Sequence, residues 1–97
     1  MSFDSKDTCE MRCIVKGLVQ GVGFRYSTRS AALALKLKGT VCNLLDGSVK
    51  IVAQGEKRDL ENLISNLKEE MFPYQITETT IDFFPIAEPF VDFRIIP

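Results

Sequence analysis

Two short stretches carry the residue types that could do chemistry. The run Gly17-Leu18-Val19-Gln20-Gly21-Val22-Gly23-Phe24-Arg25 places three glycines and an arginine within nine residues. Glycines let successive backbone amides turn inward without Cβ clashes, and such a row of N–H groups forms a concave nest for an anion. Where the loop leads into a helix, the free N–H groups of the first turn and the helix dipole add to the attraction. Arg25 supplies a planar, permanently charged guanidinium that matches phosphate oxygens. Glycine content alone fits a tight turn equally well; Arg25 and a strand–loop–helix setting favour the anion site. The familiar glycine-rich nucleotide patterns are absent. There is no Gly-Lys pair, and Gly21-Val22-Gly23 runs into Phe24-Arg25-Tyr26 with no third glycine. Asn43 is the second candidate. Its amide offers a donor and an acceptor that could orient a water, although beside Asp46-Gly47 it is also an ordinary turn former.

The rest of the composition narrows the chemistry. None of the 97 residues is histidine, which excludes Ser–His and Cys–His nucleophiles and the usual His-containing zinc sites. Residues 11–45 contain six Lys or Arg and no Asp or Glu, in a chain whose net charge is −1. A positive segment in a near-neutral protein points to a local anion site rather than a broad nucleic-acid surface. Lys36 and Lys38 also suit the C-terminal end of a helix. Cys9, Cys13 and Cys42 are odd in number, with neither CxxC nor disulfide-framework spacing. They read as reduced thiols packed as small hydrophobes in a cytoplasmic protein. No apolar run approaches the ~18–20 residues of a membrane helix, and the polar N-terminus has no signal-peptide pattern.

These residues need elements to position them. Residues 1–7 read as a flexible polar N-terminus and 8–97 as a single domain, a length that one hydrophobic core can serve. Cys9, Met11, Cys13 and Val15 alternate with Glu10, Arg12, Ile14 and Lys16, the pattern of a strand with one buried face. After the glycine loop, Phe24, Thr28, Ala31, Ala32 and Leu35 predict a helix over 24–37, capped at Gly39. Residues 40–44 and 49–54 read as strands joined by a hairpin at Asp46-Gly47, with Gly55 ending the second. A helix opening at Glu56 carries the stripe Leu60, Leu63, Ile64, Leu67 and Met71 and stops at Pro73. Residues 74–84 and 90–96 complete the strands, with Pro85 and Pro89 bracketing their connection. The order βαββαβ plus a terminal strand predicts an α+β, two-layer ferredoxin-like sandwich. Its sheet has four or five mostly antiparallel strands, with two helices on one face.

At this point the chain resembles the acylphosphatase family. Val19-Gln20-Gly21-Val22-Gly23-Phe24-Arg25 is similar to the family's phosphate-loop signature. Gly39-Thr40-Val41-Cys42-Asn43-Leu44-Leu45-Asp46-Gly47-Ser48-Val49 is similar to its second signature. Leu18, Thr40 and Met71-Phe72-Pro73 depart from the family's common basic residue, aromatic residue and Gly-Pro pair. The resemblance implies that Arg25 binds the substrate phosphate together with the backbone amides of Gln20, Gly21, Val22, Gly23, Phe24 and Arg25. It also implies that Asn43 positions the attacking water. The implied reaction is metal-independent hydrolysis of carboxyl-phosphate anhydrides to a carboxylate and inorganic phosphate, with inorganic phosphate also an inhibitor.

That chemistry is compatible with this inventory. Phosphoryl transfer asks a protein for positioning and charge stabilisation. The leaving carboxylate has a conjugate acid of pKa about 4–5, like Asp or Glu, so it departs without a general acid. The water's proton can pass to a phosphate oxygen of the substrate, since residues 11–45 hold no carboxylate and Asp46 is assigned to the turn. Ser27, Thr28 and the cysteines have no activating neighbour in the sequence. No cofactor or metal, no membrane and no nucleic-acid partner is expected, and the expected state is a monomer. The alternative is a non-catalytic phosphate- or RNA-binding ferredoxin-like domain, although the chain lacks an RNP-like run of aromatic and basic residues.

Overall fold

The computed structural model describes residues 8–70 and 74–97. In chain order the elements are β1 (Thr8–Leu18), α1 (Phe24–Ala34), β2 (Lys38–Asn43), β3 (Val49–Glu56), α2 (Lys57–Glu69), β4 (Gln75–Phe84) and β5 (Phe93–Ile95). They form one five-stranded sheet in the order β4-β1-β3-β2-β5. β1 lies antiparallel to both β3 and β4, β2 is antiparallel to β3, and β5 joins β2 in parallel. This is the expected ferredoxin-like α+β sandwich. Among the described residues no helix is long and apolar enough to cross a membrane.

Alternation builds the core. Met11, Cys13 and Val15 of β1, Val41 of β2, and Val49, Ile51 and Ala53 of β3 are buried on one face of the sheet. Phe24 and Ala32 of α1 join them in the same cluster, as do Leu60, Leu63, Ile64 and Leu67 of α2, so both helices cover that face. Each fully buried aliphatic side chain of the α2 stripe stabilises the layer by about 1.5–3 kcal/mol. Cys13 packs as a small hydrophobe, and burial pushes its thiol up to about 11. The three cysteines form no disulfide with one another. Met71 and Pro73, expected to extend and end α2, lie outside the described residues, as does the segment 1–7.

The opposite face is tied down by a buried glutamine. Gln54 donates from Nε2 to Glu10 Oε1 at 2.8 Å and to the Glu88 carbonyl at 3.0 Å, and its Oε1 accepts from the Phe90 amide at 2.9 Å. These bonds lay the 85–92 connection across the sheet and deliver β5 to the far side of β2.

Several boundaries differ from the sequence-based expectation. α1 ends at Ala34 rather than residue 37, because the chain closes it in a Schellman motif without glycine. The Leu37 amide donates to Ala32 O at 2.9 Å and the Lys36 amide to Leu33 O at 3.0 Å. Lys36 is left-handed at φ 61°. Lys36 and Lys38 therefore lie beyond the helix, and its last turn holds no basic residue. Gly39, the expected cap, instead lies inside β2, where a Cβ would strike the Val52 carbonyl of β3. Gly55 does not end β3 but pairs with Cys9, and a Cβ there would meet the Leu37 side chain. β1 runs on to Leu18, past a register shift at Lys16/Gly17. β5 is three residues long, shorter than expected, because the Gln54 contacts hold its predecessors in the connection.

Candidate active site

The loop from Val19 to Gly23 joins β1 to α1 and alternates in burial. Val19 and Phe24 are buried and Val22 packs against the core, whereas Gly21 and Gly23 are exposed. The apolar residues therefore pin the loop from below while its glycines face outward. Gly21 and Gly23 have φ of 76° and 83°, and no atom lies within 4 Å of where their Cβ would sit. Glycine is required there by backbone conformation rather than by crowding. Gly23 is the N-cap of α1 and has no side-chain cap, and the first turn holds no acidic residue. The amides at this terminus thus lack an intramolecular anionic partner of their own helix.

Phe24 anchors the end of the loop. Its ring meets Tyr74 edge to face at a centroid distance of 4.7 Å, and the Tyr74 hydroxyl donates to Glu70 Oε1 at 2.7 Å. Burial and then the Glu70 carboxylate raise the Tyr74 phenol well above its usual range. The Phe24 side chain belongs to the core, so only its backbone is available to a ligand. Arg25 follows, half-buried, and makes no hydrogen bond or ion pair among the described residues. Two other arginines of the acid-free stretch are engaged elsewhere. Arg12 pairs with Glu10 at 2.7 Å and stacks on Phe84 at 4.2 Å. Arg29 Nε donates to the Phe93 carbonyl at 3.0 Å, tying α1 to β5.

Asn43 is the last residue of β2 and pairs with Val49. Two residues on from buried Val41, it lies on the helix-covered side of the sheet. Its Oδ1 is buried and accepts no hydrogen bond from the described residues. The turn beyond it, 44–48, is built without the Asn43 side chain. The Leu44 amide donates to Ser48 O at 2.8 Å, and Gly47 takes φ 95°. Asp46 Oδ1 accepts from the Ser48 amide at 3.0 Å and from its hydroxyl at 2.5 Å. Those Ser48 bonds hold the Asp46 carboxyl below its ordinary value. The turn-former explanation of Asn43 therefore has no support in the geometry, whereas Asp46 fills the turn role expected of it.

Gln20 brings the two stretches together. Its Nε2 donates to the carbonyls of Leu44 and Ser48, both at 2.8 Å. The sequence pointed to the backbone of Gln20, and this use of its side chain was missed. The bonds span 24 and 28 residues, and no local pattern announces them.

The candidate site thus holds a loop of left-handed glycines opening a helix, an arginine in the first turn with no hydrogen bond or ion pair among the described residues, and a buried amide oxygen without a partner at the end of β2. The acylphosphatase family model matches residues 11–95. The chain belongs to the acylphosphatase family. It is 44% identical over 93 residues to an acylphosphatase from Treponema denticola, an alignment covering 96% of this chain and 98% of the relative. The crystal structure of acylphosphatase from Bacillus subtilis is similar at a TM-score of 0.87 and 34% identity, covering 92% of this chain and 99% of that one. An acylphosphatase structure from Coxiella burnetii gives a TM-score of 0.85 at 34% identity, covering 98% and 99%. As an acylphosphatase, the protein is a hydrolase, and its substrates are small acyl phosphates.

Proposed function

We propose that this acylphosphatase cleaves its substrate without a metal, using Arg25 and the loop amides to hold the phosphate and Asn43 to hold the attacking water. The observation that carries this reading is the buried Asn43 Oδ1 with no hydrogen-bond partner. An orphaned buried acceptor costs about 1–3 kcal/mol, and a water donating to it would relieve that cost. Donation to Oδ1 leaves the water's lone pairs free to attack phosphorus.

The amides of Gln20 to Arg25 and the Arg25 guanidinium surround the phosphoryl oxygens and stabilise charge as the P–O bond to the acyl group breaks. Water attacks phosphorus, the bonding electrons leave with the carboxylate oxygen, and the water's proton passes to a phosphate oxygen. The products are a carboxylate and inorganic phosphate. No general acid is needed for a leaving group of pKa about 4–5. Asp46 is assigned to the turn rather than to proton abstraction, since its Oδ1 accepts from the Ser48 amide and hydroxyl. Residues 8–97 act as one domain, in a monomeric, cytoplasmic enzyme.

The test is hydrolysis of benzoyl phosphate in the presence of a chelator, with inorganic phosphate as competitive inhibitor. Arg25→Ala loses both turnover and phosphate inhibition. Asn43→Ala loses turnover and keeps phosphate inhibition. Full activity in Asn43→Ala, or dependence of the wild type on added metal, would overturn the corresponding part of the mechanism.

A further inference from the structure

We infer that the Gln20 side chain is a positioning residue, a strut that sets where Asn43 and its water stand relative to the phosphate-binding amides. The inference rests on the proposed roles of Asn43 and of the loop. The two halves of the site come from separate elements, the β1–α1 loop and the end of β2, and their relative placement determines whether the water is in line with the leaving oxygen. Among the described residues, the side-chain hydrogen bonds from the loop to the 44–48 turn are the pair donated by Gln20 Nε2. Its two protons go to two carbonyls of that one turn, Leu44 immediately after Asn43 and Ser48 immediately before Val49, its partner across the ladder. This fixes the hairpin end on both of its strands at once. A single bond would leave the turn free to pivot about the contact; two bonds at 2.8 Å do not.

The neighbouring geometry leaves the strut its task. The turn is closed internally by Asp46, Ser48 and Leu44, so it forms without Gln20. The loop is pinned by Val19 and Phe24 in the core, so it too holds its shape unaided. Removing the amide should therefore shift the two parts relative to each other rather than unfold either. In-line geometry is sensitive to such shifts, and a misplacement on the order of 1 Å costs about 100-fold in rate. Phosphate binding requires only the loop and Arg25 and should not follow.

The measurements are kcat for benzoyl phosphate and the competitive inhibition constant of inorganic phosphate, in Gln20→Leu, Asn43→Ala and the double variant. Gln20→Leu is expected to lower kcat about 10- to 100-fold while the inhibition constant stays within about 3-fold, a separation that follows from reading transition-state and ground-state losses apart. In the Asn43→Ala background the same substitution is expected to change kcat less than about 2-fold, since groups acting through one another are non-additive. Gln20→Glu gives a second readout. At neutral pH its carboxylate faces two carbonyl oxygens and has no proton to donate. On acidification the protonated form regains one O–H donor, so its kcat relative to wild type is expected to rise as pH falls. A loss in Asn43→Ala combined with a full, additive Gln20→Leu effect would overturn the strut alone. Wild-type kcat in Gln20→Leu would do the same. Full turnover in Asn43→Ala by itself would overturn the role of Asn43, and the strut with it.

Discussion

Replacing Asn43 by leucine should make the protein less active with little change in stability. The two side chains are close in size and shape, so the exchange leaves little cavity. What it removes is a buried Oδ1 that accepts no hydrogen bond from the described residues, so no bond within the protein is lost and the water held there is released. What it adds is apolar surface beside buried Val41 and Val49. Neither change breaks a contact that the fold depends on, so stability is expected to stay within about 1 kcal/mol of wild type, which is about 4–8 °C in melting temperature for a domain of this size. The 44–48 turn should be unaffected, because its bonds run through Asp46, Ser48 and Leu44. Activity should fall by about 100- to 1000-fold, the loss typical of deleting one preorganised polar group at the reacting centre. The assay pairs thermal unfolding without ligand and benzoyl phosphate hydrolysis on the same preparations. A variant destabilised by more than about 1 kcal/mol, the scale of one lost net hydrogen bond, with activity retained would show that Asn43 serves the fold. That pairing would refute the whole line of reasoning.

Two other perturbations test the framework. Glu10 is raised by burial, but bonds from Gln54 and Arg12 and the charges of Arg12 and Lys50 outweigh this and hold its carboxyl below the ordinary 4.5. A lowered folded-state value contributes stability above the unfolded value, and that contribution disappears as pH falls through the folded one. Wild type should therefore lose more melting temperature than Glu10→Gln between pH 6 and pH 3 (roughly the interval spanning carboxylate titration); equal losses would contradict the sign. Lys36→Gly should stabilise by about 0.5–1 kcal/mol, since a left-handed non-glycine residue costs about 1–2 kcal/mol and glycine returns about half of that as entropy. A lower denaturant midpoint would mean that the φ of 61° carries no net strain.

Legibility in the sequence followed the range of the interaction that decides each feature. β1, α2 and the Asp46-Gly47 turn depend on alternation, a 3.6-residue stripe and local turn chemistry, and all three were readable. Gly39 and Gly55 were misread as punctuation. The reason for each glycine lies in another element, the Val52 carbonyl for Gly39 and the Leu37 side chain for Gly55. The end of α1 was misplaced because Lys36 takes the left-handed position that local rules assign to glycine. At the site, residue types and the resemblance pointed to the loop, Arg25 and Asn43. Neither could show that Asn43 Oδ1 would be orphaned or that the Gln20 amide would bridge to the hairpin. Both are consequences of β2–β3 pairing and of the loop packing against it.

The acid-free stretch acquires a different meaning from this geometry. Six positive charges between residues 11 and 45 suggest a basic pocket, yet Arg12 is turned to Glu10 and Phe84 on the opposite face and Arg29 holds the Phe93 carbonyl. The local excess is thus not a pile of cations around the loop. Its relevant property is the missing carboxylates. A unit negative charge 4 Å from a bound anion would oppose it by about 4 kcal/mol at an effective dielectric of 20, enough to cancel the contribution of one arginine. Asp46, the first acidic residue beyond Asn43, has its Oδ1 occupied by the Ser48 amide and hydroxyl. On the proposed reading, with no competing anion in the segments that form the site, one guanidinium and a row of amides would suffice to hold a phosphate. A leaving group that departs unprotonated then makes the absent histidine no loss.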